Sequence, residues 1–196
     1  MADDDTLRFY AEQAATYAEH RRRPIGAPLD AFLDGLPSGA RILELGCVNG
    51  TDAAHMLARG FDIDPTDGTP ELTEIAARRL QREVRILRFE DLAAEADYDG
   101  VWAAASLLHV PAATLSAILA RIHRALRPGG LFTASYKAGA GEGRDALGRY
   151  YNYPDPLVLE ADYRAAGAWQ ALTIGTVLGS GYDAQPTEWL WVTARR

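Results

Sequence analysis

From Arg41 to Tyr136 the chain alternates short apolar runs with segments of helical periodicity, a pattern that admits few folds. Arg41–Leu45 reads as a strand and Thr51–Arg59 as a helix stopped by Gly60. Phe61–Thr66 reads as a second strand closed by Asp67-Gly68, and Glu71–Glu83 as an amphipathic helix opened by Pro70, where a missing N–H costs least. Val84–Phe89 and Gly100–Ala105 read as a third and a fourth strand. Pro111 opens a long helix to Arg127, with Leu115, Ile118, Leu119, Ile122 and Leu126 at helical spacing. Pro128-Gly129-Gly130 breaks that helix before a fifth strand, Leu131–Tyr136. Such alternation implies parallel strands joined by helical crossovers. The tail departs from it. Pro156–Ala166 looks helical, and Ala171–Leu178 and Glu188–Ala194 look like strands separated only by the turn-rich Gly179–Pro186 stretch, which makes an antiparallel hairpin. The expected class is α/β: a doubly wound sheet of seven strands, mostly parallel, with an antiparallel C-terminal hairpin.

With 196 residues the chain fits one domain that buries a core without staples. Four regions are expected within it: a helical N-terminal cap over 1–37, a core over 40–137, a Tyr-rich insertion over 138–155, and a C-terminal helix and hairpin over 156–196. In the cap, Leu7 to His20 reads as one helix carrying Phe9, Tyr10, Ala14, Tyr17 and Ala18 as a stripe. A net charge of −7 and a pI near 5.1 argue against phosphate-backbone binding and favour a small-molecule partner over nucleic acid. The Arg21-Arg22-Arg23 run reads as a solvated helix end. Cys47 is the single cysteine, so an internal disulfide is excluded. No apolar run suits a membrane span, and Asp3-Asp4-Asp5 stands where a secretory signal needs basic and apolar residues. A cytoplasmic location is the default expectation, with the chain a monomer or homodimer and no membrane partner. The Cys and His spacing fits no zinc site.

The most informative string is Ile42-Leu-Glu-Leu-Gly46-Cys-Val-Asn-Gly50. A strand ending in glycine and turning into a helix brings backbone close to a ligand and points helix N–H groups at it. An acidic residue is then expected at the end of the second strand to accept from ribose hydroxyls. Asp67 stands there, 21 residues beyond Gly46, against a rule of about 20. These features favour nucleoside binding and leave a nicotinamide dinucleotide and S-adenosylmethionine both open.

ILELGCVNG resembles the first motif of the class I S-adenosylmethionine-dependent methyltransferases, TDGTPEL (66–72) the second, YDGVWAAASLLHV (98–110) the fourth strand and its loop, and RALRPGGLFTASYK (124–137) the post-core motif. The small bacterial branch that includes tellurite-resistance-type and uncharacterised methyltransferases is the nearest likeness. The resemblance implies a Rossmann-like fold and S-adenosylmethionine as cofactor, with S-adenosylhomocysteine as product. It implies that Gly46, Cys47 and Gly50 face the methionine part, Glu44 braces the loop and the cofactor's ammonium, directly or through water, Asp67 takes the ribose hydroxyls, and Gly68 passes close to the adenine. Phe89 would line the adenine, Glu90 or Asp91 would accept from its amine, and Ala105 and Ser106 would flank the sulfonium. It also places the N-terminal helix over the pocket, with Tyr17 covering the cofactor and Arg22 pairing with its carboxylate. Two departures from the pattern stand out: Val48, where glycine is usual and a side chain crowds the ligand, and Ala104, where a polar residue is common near the methyl group.

Methyl transfer from such a donor needs alignment above all, and a general base only where the acceptor must lose a proton. His109, just beyond the fourth strand, is the best base candidate, and Tyr150 is a second catalytic candidate. Tyr10 shares a helix face with Tyr17, seven residues on. Tyr10, Ala104, Arg149, Tyr150 and Tyr151, together with His109, are the expected acceptor contacts. The glycine-rich Gly139–Asp145 stretch leading into the tyrosines suits a mobile lid. His20, His55 and His123 read as exposed or packing residues, and Trp102 and Trp169 as core. Two other functions fit the same features: an NAD-type Rossmann oxidoreductase, and a non-catalytic or engineered binding protein that keeps the fold.

Overall fold

A computed structural model describes residues 3–20, 23–182 and 184–196. Five strands follow the expected alternation: β1 (Arg41–Leu45), β2 (Asp62–Asp67), β3 (Arg85–Ile86), β4 (Tyr98–Ala103) and β5 (Leu126–Lys137). The crossovers carry α4 (Thr51–Ala58), α5 (Pro70–Leu80) and α6 (Ala112–Ala125), preceded by α1 (Asp4–Glu12), α2 (Ala14–His20) and α3 (Ala27–Asp34). Beyond β5 come a small hairpin, β6 (Gly141–Arg144) and β7 (Tyr150–Tyr153), then α7 (Pro156–Ala166), β8 (Ala171–Ser180) and β9 (Pro186–Arg195). The main sheet has seven strands in the order β3-β2-β1-β4-β5-β9-β8. The first five pair in parallel, and β9 runs antiparallel to both β5 and β8. This is the Rossmann-like doubly wound sheet with an antiparallel end. Among the described residues no helix is long and apolar enough to cross a membrane.

Strand parity sorts the core into two layers. Ile42 and Trp102 face one side and pack with Leu29, Phe32 and Met56 of α3 and α4. Leu43, Val101 and Ala103 face the other and pack with Leu115, Leu119 and Leu159 of α6 and α7. Each fully buried Leu or Ile stabilises the fold by about 1.5–3 kcal/mol relative to exposure. Asp52 of α4 is the polar exception. Its carboxylate accepts from Trp102 Nε1 at 3.0 Å and from the Ile25 amide at 3.1 Å, so it fastens the N-terminal segment to the sheet.

Four expectations change. The first helix breaks at Gln13, giving two helices, α1 and α2. The third strand shrinks to two residues because β3 is an edge with a single neighbour, and Phe89–Asp91 coils into a 3-10 turn. Pro128-Gly129-Gly130 lies inside β5 and not between elements: Tyr98 already pairs with Leu126, and the Arg196 amide donates to the Gly130 carbonyl at 3.0 Å. The glycine-rich 139–145 stretch enters a defined hairpin whose turn is closed by Asp145, which accepts from the Leu147 and Arg149 amides at 3.0 Å each.

Candidate functional site

The parallel strands β1, β2 and β4 end at one edge, and the crevice there is roofed by α1 and α2. The resulting cavity has a volume of about 70 Å³ and opens to solvent. Gly46, Val48, Asp67 and Ser106 form its floor, Phe89 and Leu87 one wall, and Leu7, Tyr10 and Tyr17 the roof, with His109 at the far end. The roof is fastened at both ends. At the front, Asp3 caps α1 through the Thr6 amide at 2.8 Å, and the Thr6 hydroxyl accepts from the Tyr150 amide at 2.8 Å. At the rear, Asn49 Nδ2 donates to the Ala18 carbonyl at 2.6 Å.

The loop after β1 has an unusual backbone. Gly46 sits at φ 81°, and a Cβ there would stand 2.7 Å from the Ser106 Cβ, so only glycine allows β1 and β4 to close at this point. Val48 sits at φ 54°, the left-handed region, which is a genuine outlier for a β-branched residue. The loop also spends its donors internally. The Gly46 and Cys47 amides both donate to the Thr66 carbonyl at 2.9 Å, the Val48 amide to Asp67 Oδ2 at 3.0 Å, the Gly50 amide to the Cys47 carbonyl at 2.8 Å, and the Thr51 amide to Asn49 Oδ1 at 3.2 Å. These loop amides are committed within the protein, and the Asp67 carboxylate lines the crevice beside them. Asp67, buried at the tip of β2, also accepts from the Thr69 amide at 2.9 Å. Burial raises its pKa to about 6 against the lowering pull of those backbone bonds. Glu44 is 2% exposed beneath the loop. Ser106 Oγ is buried at the cavity without a hydrogen-bond partner among the described residues, an orphan that a ligand donor or acceptor would satisfy.

His109 binds two partners that define its proton. Nδ1 lies 2.6 Å from the Tyr150 carbonyl, which can only accept, so Nδ1 carries the hydrogen. Nε2 is therefore the acceptor, and the Tyr10 hydroxyl donates to it at 2.8 Å. The ring is half-buried with one edge on the cavity. The protein packed around it pushes its pKa down to about 4, outweighing the Tyr150 carbonyl, so the imidazole is neutral. Tyr10 and Tyr17 meet edge to face at 4.9 Å, and Tyr17 stacks on Tyr182 of the β8–β9 turn at 4.9 Å.

Of the anticipated site residues, Gly46, Asp67, Gly68, Phe89, Ala105, Ser106, Tyr10, Tyr17 and His109 all line the cavity. Others do not. Cys47 is buried against Ala76 and Val84. Gly50 faces Leu80, where a Cβ would come within 2.9 Å, so it serves the packing of α4 on α5. Glu90 and Asp91 lie on the 3-10 turn behind Phe89, off the cavity wall, with Asp91 exposed. Ala104 packs into the Trp102 layer: strand parity sends Ala103 and Ala104 to opposite faces, and the chain turns into the crevice only at Ala105, φ 52°. The Tyr150 hydroxyl donates to Glu142 on the outside of the hairpin, away from His109. Tyr151 is buried with its ring 4.7 Å from His109, and Arg149 is buried behind Tyr10. Arg22 lies outside the described residues. The wall also contains Thr6, Leu7, Thr69, Leu72 and Arg88, which pattern reading passed over. Leu7 and Leu72 belong to apolar helix stripes, a signal that was present but shared with every core residue.

A family model described as a methyltransferase domain matches residues 17–159, most of the chain. The chain belongs to that family. A ubiquinone biosynthesis O-methyltransferase of Xanthomonas axonopodis pv. citri (strain 306) is 36% identical over 101 residues, covering 48% of this chain and 41% of the relative. The match thus spans about two fifths of that relative's length. Among solved structures, a Burkholderia thailandensis 1,6-didemethyltoxoflavin-N1-methyltransferase, bound to 1,6-didemethyltoxoflavin and S-adenosylhomocysteine, superposes with a TM-score of 0.74. It shares 24% identity and covers 98% of this chain and 86% of its own. A Haemonchus contortus phosphoethanolamine N-methyltransferase 2 in complex with S-adenosyl-L-methionine gives 0.74 at 16% identity, over 99% of this chain and 57% of its own. These likenesses show the fold.

Proposed function

We propose that the chain transfers a methyl group from S-adenosylmethionine to a small-molecule acceptor with an O–H or N–H nucleophile. One observation carries the choice of cofactor: the loop amides are spent within the protein, and the Asp67 carboxylate at the tip of β2 lines the crevice. A dinucleotide pyrophosphate requires donors at this place, whereas an ammonium and a sulfonium are met by acceptors. The residues fit such a group. Asp67 would accept from ribose hydroxyls, Phe89 would lie along the adenine, and Gly46 and the orphaned Ser106 Oγ would flank the chain that carries the sulfur. When bound, the cofactor supplies an activated methyl with a neutral thioether as leaving group. The protein's task is then alignment and the acceptor's proton.

Tyr10 and His109 stand at the end of the cavity away from Phe89. Neutral His109 Nε2 holds the Tyr10 proton by a hydrogen bond and not as a charge. A proton leaving an acceptor O–H or N–H onto Tyr10 Oη would displace the phenolic proton onto Nε2, which leaves Tyr10 neutral and the imidazole charged. The aromatic roof of Tyr10 and Tyr17 suits a planar acceptor. Isothermal titration with S-adenosylhomocysteine and with NADH tests the cofactor: binding of the former alone is expected, and binding of NADH alone overturns the reading. If S-adenosylhomocysteine binds but is never released from S-adenosylmethionine across hydroxyl and amine acceptors, catalysis is excluded and binding remains.

A further inference from the structure

Arg149 is 2% exposed, yet it lies behind the cavity wall and not on it. Burying a guanidinium costs several kcal/mol per ion unless it is paired and hydrogen-bonded, so its surroundings show what it is kept for. Its Nε and Nη2 donate to one oxygen of Asp145, at 2.9 and 2.7 Å. Its Cζ lies 5.2 Å from the ring of Phe9, 5.9 Å from Tyr10, 5.3 Å from Tyr151 and 5.2 Å from Tyr182. Those rings come from α1, β7 and the β8–β9 turn, so the cation gathers three separate elements through ring faces. The remaining nitrogen, Nη1, donates to Tyr10 Oη at 3.4 Å.

We propose that Arg149 is a positioning residue that orients the Tyr10 hydroxyl toward His109. The inference rests on the reading of this cavity as the place where methyl donor and acceptor meet. A phenol oxygen has one proton to give and lone pairs to offer. Arg149 only donates, so it occupies a lone pair and leaves the Tyr10 proton for another partner. His109 Nε2 is that partner, because the proton on Nδ1 is committed to the Tyr150 carbonyl. Tyr17 on α2 adjoins Tyr10 and competes for the same hydroxyl. The guanidinium decides the contest by drawing on the oxygen's lone pair and holding the ring against α1. Asp145 fixes the fork from behind, while Tyr151 and, beyond it, Lys137 face the same group from β7 and β5. Burial raises the Tyr10 pKa well above the usual phenol value, so Tyr10 keeps its proton and stays a donor to His109 until an acceptor supplies another.

The test reads the imidazole nitrogens of the ligand-free protein by ¹⁵N NMR. The chain has four histidines, and the His109 signals are assigned by their loss in His109→Asn. Wild type is expected to show a neutral Nδ1–H ring with a hydrogen-bonded Nε2. Tyr10→Phe moves Nε2 to the position of an unbonded acceptor. Arg149→Lys keeps the charge but loses the fork that serves Asp145 and Tyr10 together, and it moves Nε2 most of the way to the Tyr10→Phe position. The double variant moves it no further, because both changes act on one bond. A wild-type Nε2 signal in Arg149→Lys, or shifts that add in the double variant, overturns the proposal. If Arg149→Lys fails to fold by near-UV circular dichroism, Asp145→Asn takes its place: it releases the fork and is expected to shift Nε2 in the same direction, and an unchanged signal again overturns the proposal. No cofactor is needed, so failure of S-adenosylhomocysteine to bind would sink the methyl-transfer reading and leave this result standing.

Discussion

Val48→Gly is expected to make the protein more stable and to widen the cofactor crevice. Val48 stands at φ 54° with its amide on Asp67 Oδ2 at 3.0 Å, so the loop holds this residue left-handed to satisfy the carboxylate. A left-handed backbone costs an L-residue about 1–2 kcal/mol, with a β-branched side chain at the upper end. Glycine removes that cost and gives back about 0.4–1 kcal/mol through the freedom it adds to the unfolded chain. The side chain is only half-buried at the cavity, so its loss subtracts little. The balance is a gain of about 1 kcal/mol, worth about 2–4 °C in melting temperature for a chain of this size. Thermal unfolding followed by circular dichroism measures it, with Val48→Ala as the control: alanine keeps a Cβ in the left-handed region and is expected to melt no higher than wild type. The same scan with saturating S-adenosylhomocysteine is expected to show a larger ligand-induced rise for the glycine variant, because tighter binding adds stability as RT ln(1 + [L]/Kd). A glycine variant that melts at or below the wild-type temperature would refute the strain argument. An unchanged ligand-induced rise would refute the crowding argument separately.

Gly46→Ala combines φ 81° with a Cβ placed 2.7 Å from Ser106, so it is expected to cost about 2–3 kcal/mol in urea unfolding and to abolish S-adenosylhomocysteine binding. Asp52→Ala leaves the Trp102 indole and the Ile25 amide without their acceptor, and the same measurement should show a loss of about 2–4 kcal/mol. Asp67 has a pKa raised to about 6 and must be ionised to accept ligand hydroxyls beside its two backbone donors, so S-adenosylhomocysteine affinity is expected to be level above pH 7 and to weaken about tenfold per pH unit below 6. Calorimetric titration from pH 5 to 8 checks this, and Asp67→Asn should lose the acid limb while binding more weakly throughout. On the proposed reading, Tyr10→Phe should lower turnover about 10²-fold with S-adenosylhomocysteine affinity nearly unchanged, because it breaks the bond to His109 Nε2 without touching the cofactor groups.

Strand parity and helix stripes made the sheet legible before any coordinates, because each β–α unit solves its own burial problem within about 30 residues. Asp67 was legible for the same reason: its distance from Gly46 is set by one crossover. The resemblance placed Ala104 at the acceptor, but its side chain packs into the Trp102 layer and the chain turns into the crevice only at Ala105, where a positive φ on alanine has no sequence signature. The loop amides misled in a related way. A glycine loop before a helix implies free N–H groups, but the approach of the Thr66 carbonyl and the Asp67 carboxylate from β2 spends the Gly46, Cys47 and Val48 amides.

The acceptor end was the least legible part, and the reason is topological. His109 takes its meaning from Tyr10, 99 positions away, and from the Tyr150 carbonyl, 41 positions away. Arg149 reads as an acceptor contact in a tyrosine-rich insert, whereas α1 and the β8–β9 turn close over it and Tyr182 joins the rings around it. These contacts cross between the cap, the insertion and the hairpin, and no local period encodes them. Contacts of that kind are also the freest to differ on a shared fold, since replacing Tyr10 or Tyr182 leaves both core layers intact. On the proposed reading the β1 loop and β2 serve the cofactor, while Tyr10 and His109 face the acceptor and Arg149 positions Tyr10. The widest separations in sequence meet at the end of the cavity that this reading assigns to the acceptor.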